Sequence, residues 1–308
     1  MKFSEYIKLC RTKSFLTQEQ LVQQLYQFNE DFIGVDTRTL IRWESGQTQP
    51  SINRKITIIK LFQVLTKEAL PHFNNFTTDE IQAQICTAGI DNIIGKNKEL
   101  VLNFPSSFIQ VDNMKVTHLK YTDTIDNIIK IATGLDKEFT QNYSQLTNDN
   151  FKEWALHPSS LFLICEISEQ FFGLLFTLRL KPDIFERIIK FDMQEKDLNI
   201  SHFATFEEVG CNYLFNFFAQ SNKAASLLYL RYYAHLIANQ KIISKIGATA
   251  MMNEAKSLLE RINLNHSKDI TIDGYKISSY EASINDVLLN ASVIKMIFNN
   301  QKCPESNT

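Results

Sequence analysis

Cysteine is scarce in this chain and poorly placed for chemistry. Five occur among 308 residues (Cys10, Cys86, Cys165, Cys211 and Cys303), and no two form a CxxC pair. Neither a zinc site nor a disulfide framework is expected, and the thiols read as reduced, buried fillers of a cytoplasmic protein. The six histidines, at 72, 118, 157, 202, 235 and 266, show no metal-ligand spacing, so no metal is expected. No run approaches the ~18 uninterrupted apolar residues of a membrane-spanning helix. The opening Met-Lys-Phe-Ser-Glu lacks the apolar region of a secretory leader. Net charge is also scarce, at -2, which argues against a protein coated with nucleic acid along its whole length.

What is present is a globular composition, 44% hydrophobic and 21% charged, on a chain long enough for two domains. The charge is unevenly split. Residues 1–70 hold 10 Lys and Arg against 7 Asp and Glu; the remainder hold 22 against 27. A mildly basic head on an acidic body suits local contact between the head and DNA.

The head reads as several short helices. Phe3, Tyr6, Ile7 and Cys10 form one apolar stripe at helical spacing. Thr17 with Gln20 makes a capping box ahead of Leu21, Val22 and Leu25. Asp36 caps a helix carrying Thr37, Arg38, Thr39 and Arg42, with Leu40 and Trp43 directed to the core, and Gly46 and Pro50 close it. A further helix follows, with Ile56, Ile59, Leu61 and Phe62 as expected core. Thr17-Gln18, Leu21-Val22, Val35, Leu40 and the run from Arg42 through Trp43-Glu44, Gly46 and Pro50 resemble the lambda-repressor-like (Xre-type) helix-turn-helix family. The resemblance covers about residues 1–68 and implies a third helix seated in the major groove. Arg38 would donate to a guanine edge. Thr37 and Thr39 would meet phosphate or a thymine methyl, and Gln18 would make a groove or phosphate contact. Arg42, Arg54 and Lys55 would hold phosphates. The sequence departs from the family in one respect: Tyr26 to Gly34 add about eight residues between the second and third helices.

Residues 69–111 read as an apolar helical connector, with a cap at Thr77 to Glu80, Ile81, Ile85, Ile90, Ile93 and Ile94 inside, and Pro105 as terminator. The body, residues 112–290, gives strand signals at 114–122, 161–167, 171–181, 211–220, 245–251 and 274–282, with helices between them. Residues 182–210 read as a long excursion, and 291–308 as a polar tail. The order of elements, with "KIGATAMMNEAKSLLERINL" as its most telling piece, resembles the GNAT (N-acetyltransferase-like) fold. The expected class is therefore α+β in two domains: an all-α helix-turn-helix head, and an α/β GNAT-like body with a mixed, mostly antiparallel sheet.

That resemblance also implies a test for catalysis. Family enzymes hold the acetyl-CoA pyrophosphate on a Gln/Arg-x-x-Gly-x-Gly/Ala loop at the start of the long helix. Here the segment is Gln220-Ser221-Asn222-Lys223-Ala224-Ala225, with Lys223 in place of the central glycine. Lys223 would crowd the phosphates, and no general base stands out among Glu166, Glu169 and Glu208, so no catalytic residue and no cofactor is assigned. The fold implies a slot between its splayed fourth and fifth strands. Phe215, Phe217, Phe218, Tyr229, Tyr232, Tyr233 and Ile246 would line or flank it. Phe217, Gln220, Lys223, Ala224, Tyr229 and Tyr233 are the candidate ligand contacts. The reading is a homodimeric, DNA-binding transcription regulator whose body senses a small molecule or a protein effector, or sets the dimer. Alternatives are a DNA-tethered acetyltransferase using acetyl-CoA, an all-helical peptide sensor, and an antitoxin that binds a protein.

Overall fold

The computed structural model describes residues 1–87, 89–94, 114–140, 145–272 and 274–298. The chain divides into two compact units. One comprises Met1–Ile90, Tyr233–Lys241 and the segment from Leu288; the other comprises Asp91–Tyr232 and Ile242–Val287.

The first unit opens with four helices: α1 (Phe3–Lys13), α2 (Gln18–Phe28), α3 (Thr37–Glu44) and α4 (Ile52–Thr66). Their starts are set by side-chain caps. Thr17 and Gln20 bond reciprocally at 2.8 and 3.1 Å, and Asp36 accepts the Thr39 amide at 2.7 Å. Phe3, Tyr6, Ile7, Cys10, Leu21, Leu25, Leu40 and Trp43 are buried, and each large apolar side chain withdrawn from water contributes about 1.5–3 kcal/mol. Val22 and Ile56, expected in the core, are only half-buried.

The additional residues between α2 and α3 are not slack. A single 3-10 turn, Glu30–Phe32, buries Phe32 edge-on to Trp43, with ring centroids 6.4 Å apart. Gly34, at φ +83°, then turns the chain into α3 with a conformation that an L side chain resists.

The connector is two short helices rather than one, α5 (Thr78–Gln82) and α6 (Ile90–Ile94). Gly89, at φ +91°, breaks the pattern between them. The rest of the connector, with Pro105, lies outside the described residues.

The segment expected as a polar tail from 291 instead begins with a helix, Ala291–Ile297. It buries Val293, Ile294, Met296, Ile297 and Phe298, and the Phe298 ring meets Phe3 at 4.9 Å and Tyr6 at 5.1 Å. The polar run after it obscured that apolar spacing. Residues 299–308 lie outside the described residues.

The second unit is a seven-stranded sheet. Its strands are β1 (Lys115–His118), β2 (Leu161–Ile167), β3 (Gln170–Leu180), β4 (Gly210–Ala219), β5 (Ile243–Ala250), β6 (Asn265–Ile272) and β7 (Tyr275–Ser283). They are ordered β1-β2-β3-β4-β5-β7-β6, and every neighbouring pair is antiparallel except β4 with β5. A sheet of this size excludes the all-helical body of the peptide-sensor alternative. Helices α7 (Ile125–Phe139) and α8 (Asn148–Leu156) precede β2, and α9 (Pro182–Ile189) falls within the stretch read as an excursion. Helix α10 (Asn222–Ala238) connects β4 to β5, and α11 (Asn253–Arg261) follows β5. The short α12 (Ile284–Leu288) leads into the terminal helix, α13. Gly247 allows α9 to dock on β5, since a Cβ there would lie 2.6 Å from Phe185.

Candidate functional site

Two places carry the candidate residues. The first is α3. Arg38 and Arg42 are exposed on it, while Thr37 and Thr39 are half-buried. Glu44, at the end of the same helix, ties the head together. Its carboxylate accepts from Arg11 Nε of α1 at 2.6 Å and from Gln18 Nε2 of α2 at 2.7 Å. Gln18, expected to face DNA, is thus engaged within the head.

Arg54 and Lys55 are also drawn inward. Arg54 donates through Nε and Nη2 to the Asp31 carbonyl at 3.1 and 2.8 Å, and lies over the Phe32 ring. It pins the inserted turn. Lys55 bonds Gln49 Oε1 at 2.8 Å and lies over Phe3, and burial lowers its pKa. The exposed cationic face of α3 is therefore Arg38 and Arg42 alone, opened by the Asp36 cap.

The second place is a cavity of about 170 Å³ in the sheet unit. Strands β4 and β5 are in parallel register only at Gly210–Ile243, Asn212–Ile246 and Tyr213–Gly247. Beyond that they diverge, and Leu214 to Phe217 on one strand and Ala248 to Ala250 on the other form opposite walls. Helices α7, α9 and α11, the segment after α9, the end of β6 and Ile277 of β7 also line it, largely with Phe, Met, Leu and Ile.

The expected slot exists, with Phe215 and Phe217 on its wall. Tyr229, Tyr232, Tyr233, Phe218 and Ile246 do not line it. Tyr229 and Tyr232 are buried core, the former packing its ring on Phe217 at 4.9 Å. Tyr233, also buried, belongs to the first unit.

Sequence reasoning missed the cavity's polar members. Glu195, a half-buried residue, sits on a 3-10 turn inside the excursion. The carboxyl accepts from the Tyr213 hydroxyl and, at 2.9 Å, from Thr249 Oγ1. Burial raises its pKa above the ordinary carboxylate value, and the two hydroxyls act against that rise. Asn216, on β4, is buried, and its Nδ2 has no acceptor among the described residues.

Several donors of the segment considered for phosphate binding are engaged. The Gln220 amide bonds the Phe172 carbonyl at 2.8 Å and its side chain bonds the Phe171 carbonyl at 3.1 Å. The Ala224 amide bonds Ser221 Oγ at 3.1 Å, and the Ala225 amide bonds the Ser221 carbonyl at 3.0 Å. Lys223 is exposed. Of the carboxylates considered as bases, Glu166 is half-buried, Glu169 and Glu208 are exposed, and none lines the cavity.

No family model matches the chain. A stretch of 70 residues is 37% identical to the HTH-type transcriptional activator BcrR of Enterococcus faecalis. It covers 23% of this chain, which spans 30% of that relative's length. The chain therefore shares sequence with a helix-turn-helix transcription regulator. Among solved structures, an N-acetyltransferase from Staphylococcus aureus is similar at 11% identity and a TM-score of 0.35, over 56% of this chain and 97% of that one. FeeM, an N-acyl amino acid synthase from uncultured soil microbes, is similar at 7% identity and a TM-score of 0.40, over 57% and 93%. The C-terminal condensation domain of Ebony is similar at 8% and 0.37, over 55% and 98%. No helix among the described residues is long and apolar enough to cross a membrane.

Proposed function

We propose that this chain is a cytoplasmic, Xre-type transcription regulator. Its first unit binds double-stranded DNA as a homodimer, and its second, GNAT-like unit senses a small molecule in the β4–β5 cavity. The observation that carries the DNA reading is the 37% identity over 70 residues with a helix-turn-helix activator. It is supported by a capped α3 whose exposed side bears Arg38 and Arg42. Arg38, at the start of α3, reads a base edge; Arg42 meets phosphate. Two half-sites about one helical turn apart suit a dimer. A DNA-tethered acetyltransferase is the second reading, favoured by the order of strands and helices. The bonds that Gln220, Ala224 and Ala225 make within the fold weigh against it.

The test is competition binding of the full chain to its selected operator and to random duplex, compared with Arg38→Ala. The expected outcome is a loss of about 1–3 kcal/mol of discrimination in the variant, with the salt dependence of nonspecific binding nearly unchanged. An unchanged ratio of specific to random affinity overturns the assignment of α3 as the reading helix.

A further inference from the structure

Helix α3 carries an apolar side chain on its solvent side. The exposed residues of α3 and its C-cap are Arg38, Ile41, Arg42 and Ser45, the i, i+3, i+4, i+7 spacing of one helical stripe. Ile41 is 46% exposed in the middle of that stripe. The buried side of the helix is supplied by Leu40 and Trp43, so the core does not depend on Ile41. A β-branched residue is also a weaker helix former than Ala, Leu, Glu or Lys, because its χ1 freedom is lost against the preceding turn. Neither packing nor propensity explains an isoleucine at this position. Scattered exposed apolar side chains are ordinary on protein surfaces. What sets Ile41 apart is its flanks: Arg38 one turn before it and Arg42 directly after it, both exposed.

Those flanks define what covers it. A second copy of this chain laid symmetrically on the stripe would bring Arg38 and Arg42 against their own counterparts, and like charges so placed repel. A polyanion attracts both guanidiniums. Duplex DNA combines that negative charge with an apolar group on its major-groove floor, the C5-methyl of thymine, which cytosine lacks. We propose that Ile41 is a specificity-determining residue that reads thymine by packing against this methyl, within two base pairs of the base that Arg38 contacts. The spacing follows from the helix: three residues advance about 4.5 Å along its axis, against ~3.4 Å per base pair. Arg38 reads by hydrogen bonds and Ile41 by apolar contact, so the two discriminate by independent physics on one face. The proposal rests on reading α3 as the helix that enters the major groove, and it adds one required base to the operator.

The probe is a duplex selected by the full chain from a random-sequence pool. Each thymine in it is replaced in turn by deoxyuridine, which removes the C5-methyl and keeps every hydrogen-bonding group. At one thymine, within two base pairs of a guanine that Arg38→Ala no longer distinguishes, the replacement is expected to weaken binding by the parent about fourfold, the worth of one buried methyl. Ile41→Ala is expected to bind the thymine and deoxyuridine duplexes alike at that position, with its penalties elsewhere unchanged. Ile41→Val is expected to keep most of the difference. Absence of any deoxyuridine penalty in the parent, or penalties that all persist in Ile41→Ala, overturns the proposal. Loss of dimer in Ile41→Ala with every penalty retained also overturns it and assigns the residue to contact between copies. Arg38→Ala separates the two layers. If it loses discrimination while no methyl penalty depends on Ile41, α3 stands as the reading helix and only the role of Ile41 falls. A chain that enriches no sequence from the pool overturns both.

Discussion

Glu44 shows how one side chain sets the geometry that a reading helix needs. Its side chain is only 6% exposed, and it accepts from two other helices, through Arg11 and Gln18. Charge-assisted bonds of this kind are stronger than neutral ones, and removing the acceptor strands both donors. Glu44→Ala is expected to destabilise the head by about 1–3 kcal/mol in urea unfolding. A change near zero would mean that apolar packing alone fixes α3. The sequence showed Glu44 within a family-like run, and that run correctly marked a helix end. It could not show the partner, because Arg11 and Gln18 lie 33 and 26 residues away. Gln18 and Arg54 were assigned to DNA for the same reason: a long polar side chain near a helix start reads alike whether it meets phosphate or its own fold. On β4 the register shifts at Phe215, and a bulge of this kind leaves no mark in hydrophobic alternation.

Elements with a clear period were legible, and those without one were not. The strands from β2 to β5 and helices α7, α8, α10 and α11 stand near where their apolar spacing put them. Strand β6 was missed because it is an exposed edge: from Asn265 to Asp269 every residue is solvent-facing, so no alternation exists to read. Helix α9 carries a good stripe in Ile184, Phe185, Ile188 and Ile189, but the 3-10 turns after it made the whole stretch resemble a loop. Close packing between elements gives a matched test. A Cβ on Gly173 of β3 would stand 2.7 Å from the Phe218 carbonyl oxygen of β4, where Phe218 is in register with Leu174. A Cβ on Gly134, exposed on α7, meets nothing within 4 Å. Gly173→Ala is expected to cost about 1–3 kcal/mol, and Gly134→Ala to stabilise by up to about 1 kcal/mol, both read as urea midpoints. Equal effects would show that helix and strand propensity, rather than the β3–β4 approach, governs Gly173.

At the scale of the whole molecule, burial moves titrations in opposing directions, and the sign of each decides how stability follows pH. His118 is held neutral by burial, with its pKa lowered from 6.5 to about 4; Lys120 and Arg231 add to the fall, and the Ser160 carbonyl opposes it. His72 and His157 are lowered for the same first reason. A histidine with a depressed folded pKa contributes fully above its unfolded value. Its contribution is lost as pH falls from 6.5 toward 4, because the unfolded chain then binds more protons. Glu195 works the other way. Its raised folded pKa favours the fold at low pH, and that contribution is lost as pH rises above the ordinary carboxylate range. The raw pH profile therefore mixes two slopes, and the difference between parent and His118→Gln isolates one of them. The two tryptophans allow each unit to be followed separately, since Trp43 lies in the first and Trp154, fully buried, in the second. In a Trp43→Phe background, the urea midpoint seen by Trp154 fluorescence is expected to fall as pH drops from 6.5 toward 4. His118→Gln is expected to flatten that fall. Parallel pH curves for the two proteins would mean that His118 gains its proton as readily in the fold as out of it, and burial would not be the controlling effect at that position.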